Sequence, residues 1–178
     1  IEQITKENGE IIYDQNEIKQ EIYRFYKELY SKQTLKENYH EFFGDLPTVG
    51  AEENTFLTGE IKIEEILQQI KINKDSSPGP DGLTYSVYKY LWPIIGDKMV
   101  ASWNESNITG KLSNSQRRST ITLLEKKGKD KSLLKNMRPI SLSNCDLKLF
   151  TKIIARRLDR ALDKIIHPSQ KAYIKGRN

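Results

Sequence analysis

Cysteine is nearly absent. Cys145 stands alone among 178 residues, which excludes an intramolecular disulfide and fits a reducing compartment. Histidine is almost as scarce, and His40 and His167, with one Cys, cannot supply a four-ligand zinc site. No apolar run approaches the roughly 20 residues that span a bilayer, and no signal-peptide pattern opens the chain. There is no Asp-Asp pair, no Walker-type glycine loop and no Ser-His or Cys-His pairing that suggests a nucleophilic triad. A complete catalytic centre is therefore not expected. The chain starts at Ile1 rather than Met, so we expect a processed or excised piece of a longer polypeptide.

What is present is an uneven charge. Residues 1–110 carry 11 Lys/Arg against 19 Asp/Glu, whereas residues 111–178 carry 18 against 5, giving the overall +5. An acidic part thus precedes a part suited to a polyanion, with nucleic acid the first expectation and an anionic membrane the second. The basic residues lack apolar companions, which disfavours the membrane surface. Four-tenths of the chain therefore carries the functional signal.

Periodicity supplies the scaffold. Asp14 suits an N-cap, with Glu17 completing a capping box, and Ile18, Ile22, Phe25, Tyr26 and Leu29 predict a helix over 15–31. Residues 32–58 read as an irregular connector punctuated by Gly44, Pro47 and Gly50. Ile63, Ile66, Leu67 and Ile70 predict a helix over 62–72. Thr84 should cap a short helix to Trp92, and Pro93 should open the next, ending near Gly110. Tyr85, Tyr88, Tyr90 and Trp92 read as packing residues rather than base-stacking ones. A last helix over 145–163 should bury Leu147, Phe150, Ile154, Leu158, Ala161 and Leu162, with Ser143 and Asp146 forming its capping box.

Between them, residues 123–143 read LLEKKGKDKSLLKNMRPISLS: two short strand-like runs joined by a loop rich in lysine. Lys offers a point charge and Arg a planar fork, a pairing suited to the oxygens of a triphosphate. Pro139 biases Arg138 toward an extended backbone and so fixes its aim. A solvated lysine-rich hairpin tip fits the same spacing, so both readings stand on the residues alone. The cationic face of the last helix, with Lys148, Lys152, Arg156, Arg157 and Arg160, alone reads first as a solvated face; with the hairpin and the charge balance it tilts toward phosphate.

The stretches SSPGPDGLTYSVYK, ITLLEKKGKD, NMRPISLSNCDLKLFTKIIARRL and SQKAYIKGR, in this order and spacing, resemble the finger motifs of LINE-type (non-LTR) retrotransposon reverse transcriptases. FYKELYS and GEIKIEEILQQI resemble the segment that precedes those fingers, so the likeness covers nearly the whole chain. It implies an α+β, mostly helical fold: the fingers of a right-hand polymerase with a short antiparallel hairpin. Residues 1–75 would form an N-terminal extension and 76–178 the fingers. By this resemblance Lys126 or Lys127, with Arg138, would hold the incoming dNTP. Ser77, Gly79, Asp81, Arg117, Arg118, Arg156, Arg157, Gln170 and Arg177 would face the RNA template. The palm aspartates that bind Mg²⁺ should lie beyond Asn178, leaving this segment inactive alone. Expected partners are RNA template, RNA/DNA hybrid, dNTP, the palm of the same polypeptide and a second copy of the fragment. The cytoplasm and nucleus are the expected setting. Departures from the pattern are Glu125, Met137 and Ala172-Tyr173. The rival reading is a stand-alone basic RNA-binding module.

Overall fold

A computed structural model describes residues 1–31, 46–172, 174, 176 and 177. The described residues are α+β and mostly helical, with five α-helices and two small antiparallel sheets among them. Contacts gather the chain into two compact units, Ile1–Tyr39 with Ile121–Ser141, and His40–Thr120 with Leu142–Asn178. This grouping joins distant stretches of chain and does not follow the 75/76 boundary.

The first unit begins with a hairpin that the sequence reading did not assign. β1 (Ile4–Thr5) pairs antiparallel with β2 (Ile11–Ile12), Ile4 opposite Ile12. Gly9 turns the chain with φ +86°, a conformation that side chains with a Cβ resist. Helix α1 (Gln15–Leu29) follows, and Asp14 accepts from the N–H groups of Asn16 and Glu17 as its cap. Ile4, Ile12 and Ile18 bury together with Leu134, and Ile22, Phe25 and Leu123 pack around them. Within this unit the loop that follows β3 is held to β1, because Thr5 N–H donates to the Ser132 carbonyl at 2.9 Å.

In the second unit α2 (Ala51–Thr58), α3 (Ile63–Ile72), α4 (Tyr85–Thr109) and α5 (Cys145–Ile165) surround one core. Ile66, Ile70, Tyr85, Tyr88, Trp103, Leu149 and Ile153 form its centre. Asn104 clamps the approach to α3: its carboxamide accepts from Ile61 N–H at 2.8 Å and donates to the Ile61 carbonyl at 3.1 Å. One side chain thereby satisfies both polar groups of a buried peptide segment.

Five expectations need correction. The stretch expected to be irregular through Thr58 contains α2. Its adjacent Phe56 and Leu57 make no helical stripe, but Glu52 and Glu53 suit the positive end of its dipole. The expected break at Pro93 is absent, and α4 runs on with Pro93 inside. Losing that N–H and crowding the Lys89 carbonyl costs about 3 kcal/mol, which the core contacts of Tyr88, Trp103 and their neighbours on both sides offset. Tyr90 is 84% exposed rather than packed. In α5 the buried stripe is Cys145, Leu149, Ile153, Arg157 and Ala161, one residue off the expected line, and Leu158 is exposed. Its N-cap is Asn144 rather than Ser143, and the Asn144 side chain is used elsewhere.

Candidate nucleic-acid interface

The basic hairpin joins β3 (Ser119–Glu125) to β4 (Met137–Ser143) through residues 126–136. Hydrogen bonds shape this loop throughout. Asp130 Oδ1 accepts from Ser132 N–H at 2.9 Å and from Ser132 Oγ at 2.8 Å. Asn136 Nδ2 donates to the Asp130 carbonyl at 2.9 Å, and Lys126 N–H closes the loop on Asn136 O at 3.0 Å. Gly128, with φ +73°, makes the tight turn. These donors hold the Asp130 carboxyl below the usual aspartate range, with the Ser132 backbone N–H the largest cause. The loop's one acid is thus charged and turned onto its own backbone.

The same geometry separates the two lysines that the sequence leaves equivalent. Lys126 Nζ donates to the Lys135 carbonyl at 2.7 Å, so its charge helps close the loop. Lys127 is exposed and has no hydrogen bond or ion pair among the described residues. Arg138 is also exposed and without such a partner, one position after buried Met137 and one before Pro139. Glu125 makes no ion pair with these cations among the described residues. The hairpin is a shaped loop that leaves Lys127 and Arg138 available.

In the second unit three segments meet at Asn144, which is 3% exposed. Its Oδ1 accepts from Asp81 N–H at 3.3 Å and its Nδ2 donates to the Ser115 carbonyl at 3.2 Å. A cap residue has been recruited as a latch. Gly79 lies so close that a Cβ there would collide with Asn144 Oδ1 and with the backbone of Ser143 and Asn144. Nearby, Gln116 is buried and donates to Asp146 Oδ2 at 3.1 Å. Arg117 and Arg118 are therefore displayed, both exposed, on an anchored turn. Arg117 leans on Asn114 Oδ1.

Ser77 and Asp81 serve the loop itself. The Ser77 carbonyl accepts from Lys148 Nζ at 2.6 Å. Asp81 Oδ1 accepts from Leu83 N–H at 3.0 Å, and Oδ2 accepts from the Tyr88 hydroxyl at 3.3 Å. Burial, then the charges of Asp146 and Asp81, push the Tyr88 phenol upward, so it remains a neutral donor. Thr84 is the N-cap residue of α4, as expected, but its side chain makes no cap hydrogen bond; the carboxylate of Asp75 accepts from Ser86 N–H at 2.8 Å instead.

Along α5 the expected RNA-facing arginines part company. Arg156 is exposed without a partner among the described residues, whereas Arg157 is 4% exposed. Arg157 Nε and Nη2 grip the Glu65 carboxylate at 2.9 and 2.6 Å. Its Nη1 and Nη2 also donate to the carbonyls of Gly59 at 2.5 Å and Glu60 at 2.7 Å. Arg157 is thus spent on the interior, and it holds the Glu65 carboxyl below its usual range. A cation inside the apolar stripe was the sequence signal for this pair, but the one-residue error in that stripe hid it.

At the end of α5, Arg177 donates to the carbonyls of Ile166, His167 and Asp163 at 3.2, 3.0 and 3.3 Å and pairs with Asp163. It acts as a C-terminal cap for the helix. Gln170 donates to the Ala172 carbonyl at 3.3 Å and is exposed; Tyr173 lies outside the described residues. Among the described residues no group of three or more His, Cys, Asp or Glu could hold a metal ion. No described helix is long and apolar enough to cross a membrane.

No protein-family model matches the chain. It is similar to the Transposon TX1 uncharacterized 149 kDa protein of Xenopus laevis, with 33% identity over 173 residues. The match covers 96% of this chain and 13% of that protein, so the chain spans a small part of its relative's length. The chain is thus related to a transposon-encoded protein.

Proposed function

We propose that this chain is the N-terminal extension and fingers part of a retrotransposon reverse transcriptase, an RNA-directed DNA polymerase. One observation carries the reading: the shaped hairpin loop ties down Lys126 and leaves Lys127 and Arg138 exposed and unpartnered. Lys127 supplies charge to the triphosphate of an incoming dNTP, and the Arg138 fork fixes its orientation. The RNA template follows the Pro-Gly loop around Ser77, Gly79 and Asp81 and the turn bearing Arg117 and Arg118, with Arg156 adding a phosphate contact. Arg157 and Arg177 support this surface from within the fold. The relation to a transposon protein agrees with this reading.

Bond formation belongs to the complete polymerase. Mg²⁺, held there by palm residues outside this chain, would align the primer hydroxyl and neutralise the triphosphate. The fragment binds and orients; it does not polymerise. Its partners are RNA template, RNA/DNA hybrid, dNTP and the palm, in the cytoplasm and nucleus. Tyr90, Ile94 and Ile108, all exposed on α4, offer apolar surface to the rest of the polypeptide or to a second copy.

The test is titration of the 178-residue chain with inorganic tripolyphosphate, read by nuclear magnetic resonance of arginine and lysine side chains. The Arg138 and Lys127 signals should move, and Arg138→Ala or Lys127→Ala should weaken binding about tenfold each, as for one charge-assisted bond. Lys126→Ala should leave the affinity within about twofold. Signals that stay still at Arg138 while distant lysines respond would sink the assignment.

A further inference from the structure

The second unit holds a polar cavity of ≈ 380 Å³ walled by α2, α3 and α5. This lies within the roughly 300–1,000 Å³ usual for small-ligand sites. Gln69 lines it while being only 3% exposed, and its carboxamide makes no hydrogen bond among the described residues. Among the described residues the buried side-chain atoms left unpaired are Tyr26 Oη and Asn73 Nδ2, so the Gln69 amide is open to the cavity rather than stranded, and its donor and acceptor face whatever enters. Arg156 and Arg160 lie one turn apart on another wall. Neither makes an ion pair among the described residues, and the Arg160 guanidinium lies 4.4 Å from the Phe56 ring centroid.

The other charges facing the cavity sharpen its chemistry. Glu65 is neutralised by Arg157 at 2.6 Å, leaving Asp159 as an acid free to oppose an anion. Two arginines therefore outweigh one aspartate. The wall thus combines cations for phosphate, an amide offering donor and acceptor side by side, and an aromatic ring held in place.

We propose that this cavity receives one nucleotide of a single-stranded RNA. Its base edge pairs with the Gln69 carboxamide, and its phosphate is held by Arg156 and Arg160. Single-stranded RNA suits such a cavity because an unstacked base presents its hydrogen-bonding edges. The inference rests on the RNA-binding reading above and gives it a site outside the hairpin and the Asn144 latch.

The experiment records the side-chain amide and guanidinium resonances of the full chain with each ribonucleoside 5′-monophosphate at about 1–10 mM, the range expected of a few weak contacts. Gln69 and Arg160 should shift together for at least one nucleotide. Gln69→Leu, which keeps the buried volume, and Arg160→Ala should each weaken that binding about tenfold, and Asp159→Asn should strengthen it. A single-stranded RNA oligonucleotide is then titrated against the same variants. RNA binding that none of them changes would overturn the cavity while leaving the general RNA reading intact. Nucleotide shifts at Gln69 without any oligonucleotide binding would overturn the RNA occupant and leave a mononucleotide site, and would count against the template reading as well. No shift with any of the four nucleotides would also overturn the proposal.

Discussion

The hairpin and helix α5 are both rich in cations, yet they use them in opposite ways. In the hairpin, short loop hydrogen bonds leave Lys127 and Arg138 facing water. In α5, Arg157 is drawn inward to Glu65 and two carbonyls. A guanidinium can be a ligand-binding fork or an internal strut, and the difference lies in what surrounds it. Exposed cations retain their capacity for phosphate, whereas a saturated one contributes to folding alone.

This contrast breaks most severely at Arg157. Arg157→Ala leaves the Glu65 carboxylate with only the Lys62 N–H and strips two carbonyls of their donor, so unfolding in urea should show a loss of about 3 kcal/mol. Acid probes the same pair. Arg157 depresses the Glu65 pKa, so its stabilisation is complete above the unfolded value of about 4.3 and is lost as pH falls through the lower folded value. Stability measured from neutral pH downward should fall more steeply in the wild type than in Glu65→Gln. An equal slope would mean that the pair is not formed.

A smaller effect is expected where the loop meets the latch. Gly79→Ala drives a Cβ into Asn144 and Ser143, and should cost about 1–3 kcal/mol by overpacking. Asn104→Ala leaves both polar groups of Ile61 unpaired and belongs to the same range of about 1–3 kcal/mol. Chemical denaturation midpoints would measure both. At the other extreme, Arg138→Ala should change stability by no more than about 0.5 kcal/mol while removing the tripolyphosphate response. A large destabilisation there would turn Arg138 into another strut.

Legibility followed the reach of the interactions involved. Helices α1 and α3 were readable because amphipathic spacing, with the Asp14 cap for α1, is a local signal. The hairpin strands were readable from their β-rich runs. α2 was not, because its two adjacent apolar residues form no stripe and Phe56 finds its place against Arg157 and Arg160, about a hundred residues along the chain. The continuity of α4 through Pro93 depends on core residues from elsewhere in the chain. Asn144 looked like a neighbour of a cap, since its partners Asp81 and Ser115 are 63 and 29 residues away. The hairpin's residue types suggested phosphate, but the choice between Lys126 and Lys127 required the Lys135 carbonyl to be placed.

The most direct measurement is fluorescence anisotropy of the chain on labelled single-stranded RNA across a salt series, with Arg157→Lys kept as a folding control. Exposed cations acting together on phosphate predict a linear fall of log affinity with log salt, with a slope of about −3 for four contacts. Affinity that is absent at about 0.1 M salt, or insensitive to it, would contradict a phosphate-binding surface and leave these cations as solvated charge.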